Sequence, residues 1–434
     1  MAAMERPDFN TINRFRSEYF EECLPPVFVA LVQFLLEEGY IKGSDYFLDG
    51  TKLEADCSKF SYVWKKNVVR YKEKVQVRVK EILKEVERVN KEEDDLYGSL
   101  DLPEVGEHSK LTSADIRKAS QELTRVSEFS GEKEGKKELK KAIQRLEKEK
   151  EKLKKYEEQE KVLGERNSYS KTDTDATFMY LKNEELRAAY NVQVGTENGY
   201  VAGFSMSQNA NDGVTFVDHM SQRKTLGLFK PNRVITDSIY GTEENYDYLE
   251  KEEIEGYVKY PSWYREQKGE IGLYDKSRFQ YDAQEDSFIC PKGRRLQFIE
   301  EREHPGASGY MRIGRRYECE SCEGCEAKSQ CAKTPGNRSV EYRPLFTQYQ
   351  EQARERLSSE EGIKLRKRRG PEVETVFADI KHNRKYRRIR LRGIKKALIE
   401  MFWVFLSYNL IRFGKVRNLL KENLIAQDAM IQMT

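Results

Sequence analysis

The amino-acid sequence predicts a mixed α/β protein carrying two insertions. Three observations lead there. Short apolar runs bounded by turn residues alternate with helical periodicity on both sides of a Lys/Glu-rich stretch, residues 64–165. Two of those runs end in an acid, Asp49 and Asp237. Five cysteines then fall between Cys290 and Cys331, where the α/β alternation stops.

The elements follow in order. Thr11–Glu22 and Pro26–Glu38 read as two helices separated by a Leu-Pro-Pro break, and Asp45–Thr51 as a strand with Asp49 at its exit. Within 64–165, Val75–Val89 and Leu139–Tyr156 carry apolar residues at three- and four-residue steps among opposite charges. That pattern predicts two long antiparallel helices, with Asp94–Ser113 as the loop between them, forming a solvated hairpin rather than a catalytic element. Ala188–Val194 and Gly199–Met206 form a predicted hairpin through Glu197-Asn198-Gly199. A helix is expected over Gly213–Leu226, a strand over Pro231–Asp237, a helix over Asn245–Glu252 and a strand over Gly256–Tyr260. After the cysteine segment, Phe346–Leu357, Ile363 onward and the apolar Ala397–Phe413 return to helix. The expected domains are 1–44, an N-terminal helical region; 45–63 and 169–264, a core; 64–168, the helical hairpin; 265–345, the cysteine-containing insertion; and 346–434, C-terminal helices.

Of the 434 residues 35% are charged and 38% apolar, enough for a sizeable core and a large solvated surface. A formal charge of only +3 means that affinity for nucleic acid must come from clustering. Residues 364–396 provide it, with fourteen Lys and Arg against Glu372, Glu374 and Asp379. MAAMERPDFN shows no signal peptide, and Ala397–Phe405 is interrupted by Glu400 and too short to span a bilayer. The expected setting is cytoplasmic and nucleoid-associated, with no membrane partner. Seven cysteines there do not read as a disulfide framework.

An acid inside the basic cluster needs a reason. Pro371 is placed to begin a helix, Val373, Val376, Phe377 and Ile380 recur at helical spacing, and Glu374 lies close to that face. Lys381 follows two turns on, about 10 Å along the same side. Alone, this segment reads most simply as an amphipathic helix with a solvated charged face. With Asp49 and Asp237 at strand exits, Glu374 becomes the third of three converging carboxylates, Glu372 being the alternative. Carboxylates without histidine suit Mg²⁺ or Mn²⁺, and two such ions can drive in-line phosphodiester displacement.

FLDGTKLEA around Asp49, AAYNVQVGTENGYVAGFSMSQNANDG in the hairpin, VITDSIYGTEENYDYLEKEEIEGYV around Asp237 and RGPEVETVFADIKHNRKYRRIRLRG around Glu374 together resemble bacterial insertion-sequence transposases of the DDE superfamily. The resemblance implies a ribonuclease H-like mixed sheet flanked by helices, cutting and rejoining transposon ends with Asp49, Asp237 and Glu374 as the triad. It also implies double-stranded DNA, both element ends and target, as partner, and a homodimer on it. Lys381 matches a lysine that contacts phosphate in related branches, and Arg369 is the nearest match to an arginine before the glutamate. Arg384, Arg387 and Arg388 are expected to hold further phosphates. Departures are Ile363 in place of the usual tyrosine, Ser-Ile-Tyr after Asp237 where a glycine usually precedes the tyrosine, and a start at RPDFNTINRFR, which usually follows a longer helical region. These departures keep open an alternative, an inactive, shortened remnant that only binds DNA.

Cys319, Cys322, Cys325 and Cys331 form a C-x2-C-x2-C-x5-C series beside Cys290-Pro-Lys-Gly. Structural Zn²⁺ on Cys290, Cys322, Cys325 and Cys331, with Cys319 spare, is one expectation; free, partly buried thiols are the other. A zinc-braced coiled-coil interaction protein is a third overall reading. His219 and His382 have no second ligand at metal spacing, and Trp263 and Tyr264 read as packing residues.

Overall fold

The computed structural model describes residues 6–97, 110–129, 133–181, 185–306, 308–332 and 334–431. The chain begins α1 (Phe9–Glu37), β1 (Asp45–Glu54), β2 (Tyr62–Trp64), α2 (Lys65–Tyr97), α3 (Ser113–Phe129), α4 (Lys133–Leu163), β3 (Ser168–Ser170) and β4 (Thr177–Tyr180). It continues β5 (Leu186–Glu197), β6 (Tyr200–Ser207), α5 (Phe216–Thr225), β7 (Arg233–Thr236), α6 (Glu243–Lys251), β8 (Glu255–Val258) and α7 (Trp263–Gln267). Then come β9 (Gln280–Asp282), β10 (Ser287–Ile289), β11 (Arg295–Pro305), β12 (Met311–Cys319), α8 (Lys328–Cys331) and β13 (Ser339–Tyr342). It closes with α9 (Pro344–Ser358), α10 (Glu360–Ala378) and α11 (Ile394–Ile431). Two compact units result, residues 1–54 with 190–434, and residues 55–189.

The first unit is built on a mixed sheet in the order β6-β5-β1-β7-β8. β1 is parallel to β7, with Asp45 opposite Arg233 and Phe47 opposite Ile235, and β7 is parallel to β8. β5 and β6 form the predicted antiparallel hairpin, turned by Asn198 and Gly199, both at positive φ. The strands read as nearly continuous apolar runs because they are buried on both faces. One face is covered by α1 and α11, where Phe28 meets Phe204 and Phe402 at 5.3 and 5.7 Å. Glu18–Glu37 and Ile394–Leu419 are long and apolar enough to cross a membrane by length and composition alone; here their helices pack on each other. A second sheet, β13-β12-β11-β10-β9, is antiparallel throughout.

The second unit holds a helical core in which Val75, Val79, Ile82, Leu83 and Val86 meet Leu139, Leu146 and Leu153. β2 pairs with β3, and β4 pairs with residues 186–189 of β5, both antiparallel.

Five expectations are corrected. The Leu-Pro-Pro segment does not break α1, which contains both Pro25 and Pro26. Each proline removes a helix donor, but Leu24, Phe28, Val32 and Leu35 form one buried stripe across the site. The charged stretch folds as three helices, not two. In α3, Ile116, Ala119 and Leu123 join the core between Ser, Thr and Lys residues that dilute the pattern. The expected loop at Asp94–Ser113 is helix to Tyr97; residues 98–109 lie outside the described residues. Pro371 does not begin a helix, because α10 starts eleven residues earlier, where the Ser359 hydroxyl accepts the Gly362 N–H and Glu360 and Glu361 fill the first turn. Lastly, β1 runs past Asp49 to Glu54. Its end is held by residues 387–389, the Ile389 N–H reaching the Glu54 carbonyl at 2.8 Å.

Candidate active site

Parallel pairing sets the site. Phe47 lies opposite Ile235, so the register carried two residues further sets Asp49 opposite Asp237 on neighbouring strands, which run about 5 Å apart. Asp49 therefore stands just beyond the stretch paired with β7, although β1 itself continues. Asp237 caps the short helical turn Ser238–Tyr240, its carboxylate accepting the Ile239 N–H at 3.0 Å. Ile239, where a glycine was expected, points outward, half exposed.

The Asp49 carboxylate accepts the Gly50 N–H at 2.9 Å and pairs with Arg369 at 3.3 Å. Burial pushes its pKa up. Arg369 pulls it down, while the negative charges of Asp237 and, more weakly, Asp212 push it further up, so the net shift is upward. Asp212 accepts from the amides of Asn191, 2.6 Å, and Gln193, 3.1 Å, and lies 3.9 Å from the Lys52 ammonium. Gln193 in turn accepts the Tyr240 hydroxyl at 2.5 Å. Burial, then Asp212, Asp49 and Asp237, hold the Tyr240 phenol well above its usual range, so it stays a donor. Gly50 makes this closeness possible, since a Cβ there would stand 2.6 Å from both the Asp212 carboxylate and the Gln193 amide.

Glu374 is exposed on α10, and Glu372 is buried. Glu372 accepts the Gly199 N–H at 2.7 Å and Arg368 Nε at 2.9 Å, which ties α10 to the β5–β6 turn and makes it a structural acid. Glu374 lies between two anchors to β1. Arg369 reaches Asp49, and Lys381 donates to the Thr51 hydroxyl and, at 3.1 Å, to the Lys52 carbonyl. The structure thus brings Asp49, Asp237 and Asp212 into one electrostatic group. Among the described residues, however, no set of three or more His, Cys, Asp or Glu side chains is gathered into a metal-holding cluster.

The basic residues divide by engagement. Arg369 serves Asp49. Arg384 is ion-paired to Asp379 at 2.7 Å and lies over the Tyr408 ring. Arg388 lies 3.7 Å from Glu54, and the exposed Arg387 gives Nε to the Lys381 carbonyl. His219 is fully buried between the Tyr46 hydroxyl and Ser205, each at 2.8 Å, and burial together with Arg223 keeps it neutral. His382 is exposed. Trp263 is buried beneath Arg366, and Tyr264 accepts from Lys259 at 2.6 Å.

Asp212 was missed from sequence. The available signal was Asn191 and Gln193, two polar residues at period two in a strand whose other central residues are apolar, which require hydrogen-bond partners when buried.

Residues 289–413 match the family described as a transposase DDE domain. The match, which takes in Glu374, Lys381 and the five clustered cysteines, supports a transposase of the DDE superfamily. No curated protein and no solved structure matches the chain.

Proposed function

We propose that the protein is a DNA transposase that hydrolyses and rejoins phosphodiesters at element ends through Asp49, Asp237 and Glu374. The observation carrying this is the β1–β7 register, which, carried two residues past Phe47 and Ile235, brings two half-buried carboxylates opposite one another at the end of the paired stretch. A ribonuclease H-like core is the fold reading that this mixed sheet supports.

The donor chemistry fits hard divalent cations. Asp237 and Asp212 act electrostatically on Asp49, whose pKa is raised by burial and by these acidic neighbours, and the cradle at Gly50 leaves no room for a side chain. Asp49, Asp237 and Glu374 would hold two Mg²⁺ or Mn²⁺ ions, which supply an activated water or 3′-hydroxyl and stabilisation of the leaving oxygen. The remaining work belongs to the chain. Arg369 orients Asp49 and offsets part of its charge, and Lys381 pins the helix bearing Glu374 against β1. Arg387, Arg388 and Arg384 line the adjoining segment and would position the phosphates of double-stranded DNA, on which the protein would act as a homodimer in the cytoplasm. Plasmid carrying the element's flanks tests this: metal-dependent nicking by the parent, lost in D237N and E374Q, is the expected result, and unchanged nicking in either variant would contradict the assignment.

A second reading, DNA binding without cleavage, is favoured by Glu374, which does not close a three-carboxylate cluster with the aspartates. It expects salt-sensitive binding with no cleavage in Mg²⁺ or Mn²⁺.

A further inference from the structure

The cysteines play no part in the phosphodiester chemistry, yet the fold collects them. Cys290, Cys319, Cys322, Cys325 and Cys331 line one small cavity by the C-terminal ends of β10 and β12 in the second sheet, and all are free thiols. Cys290 comes from the turn after β10 and the other four from β12 and the segment following it, so β10 and β12, both hydrogen-bonded to β11, bring them together.

The backbone around them is shaped into two tight turns. Cys290-Pro-Lys-Gly closes by the Gly293 N–H to the Cys290 carbonyl at 2.8 Å, with Gly293 at φ +77°. Cys322-Glu-Gly-Cys closes by the Cys325 N–H to the Cys322 carbonyl at 3.4 Å, with Gly324 at φ +65°. A Cβ on either glycine would meet nothing within 4 Å, so conformation rather than space calls for glycine at both. Arg294 clamps the turns to each other, one guanidinium nitrogen reaching the carbonyls of Ser321 at 2.6 Å and Glu323 at 3.0 Å.

Hydrogen bonding separates the sulfurs by role. Cys290 Sγ accepts the Arg294 N–H at 3.3 Å, and Cys322 Sγ accepts the Arg338 N–H at 3.2 Å. Backbone N–H groups aimed at sulfur also suit sulfur that carries a metal. Cys319 does the reverse and donates its S–H to the Ser321 carbonyl at 3.3 Å. Cys325 and Cys331 complete the wall, Cys331 at the end of α8.

From this geometry we infer that Cys290, Cys322, Cys325 and Cys331 form a closed tetrahedral Zn²⁺ site that braces the second sheet, with Cys319 remaining a thiol outside it. The cysteines line the cavity, but among the described residues no three His, Cys, Asp or Glu side chains stand close enough to hold an ion as they are placed. Each cysteine has staggered alternatives about χ1, and Zn–S bonds of about 2.3 Å would draw the sulfurs inward. Four thiolates leave no open position for substrate, so the ion is structural. The assignment stands apart from the phosphodiester reading, since it uses none of the same residues.

The test is zinc content of the purified full-length chain by mass spectrometry, with Co²⁺ substitution read as thiolate-to-metal absorption. The parent should hold about one zinc per chain, C319S should keep it, and C290S and C331S should fall at least about tenfold. If those variants fail to fold, mercurial titration of the parent decides instead: zinc should leave in step with four thiols, in C319S as in the parent. A parent without zinc after refolding with the ion, or loss of zinc in C319S alone, would overturn the site.

Discussion

Glu197, on β5, meets the start of the stretch of β1 paired with β7, Asp49 stands just beyond its other end, and the chain treats these two acids in opposite ways. Glu197, almost fully buried, receives the backbone N–H groups of Lys42, Gly43, Ser44 and Asp45 at 2.7–3.2 Å, with the Ser44 hydroxyl. Every lone pair it buries is spent on fixing the start of the strand. Asp49 has one backbone N–H and one arginine, and two acids facing it. Stability lies at the satisfied end. The crowded end holds negative charge that the protein alone does not neutralise, which suits a site that binds cations.

The contrast can be broken at either end. The largest effect is expected from D237N, which should reduce metal-dependent nicking by on the order of a thousandfold while leaving the urea midpoint near the parent's, since Glu197 is untouched. E197A should do the reverse. Removing one acceptor from a row of buried donors costs about 3 kcal/mol of unfolding free energy, measured by urea titration.

D49N should unfold at the same or higher urea concentration than the parent at pH 7. The sign follows from the raised pKa: folding favours protonated Asp49, so its charge costs stability at neutral pH, and that cost disappears as pH falls through the folded-state value. The D49N advantage should therefore shrink in acid. A parent more stable than D49N at pH 7 would place Asp49 with Glu197 as a structural acid. The smallest effect is expected from R387A, which should lower the slope of log affinity against log salt by about 1 for DNA, without changing sequence preference.

Much of this was legible in the sequence, for physical reasons that differ by element. The strand ending at Asp237 and the hairpin through Asn198-Gly199 were readable because buried strands are continuous apolar runs and positive φ demands Asn or Gly. α1 was not, because local proline chemistry argued for a break while the packing of Phe28 against Phe204 and Phe402 is long-range. α3 was hidden by its Ser, Thr and Lys content. The sequence favoured Glu374 over Glu372, two residues away, but could not show what either touches. Only the Gly199 N–H and Arg368, both bound to Glu372, identify the structural one. Asp212 was invisible because its role depends on side chains from β5 and on the absence of one at Gly50.

Mn²⁺ binding to the full-length chain, followed by the electron paramagnetic resonance signal of the free ion, tests the central claim most directly because it needs no DNA substrate. The parent should sequester the ion, and D49N, D237N and E374Q should each weaken binding at least about tenfold, with E372Q close to the parent. Binding by D49N and D237N as tight as the parent's would contradict the assignment of the β1–β7 carboxylates as the metal-holding pair.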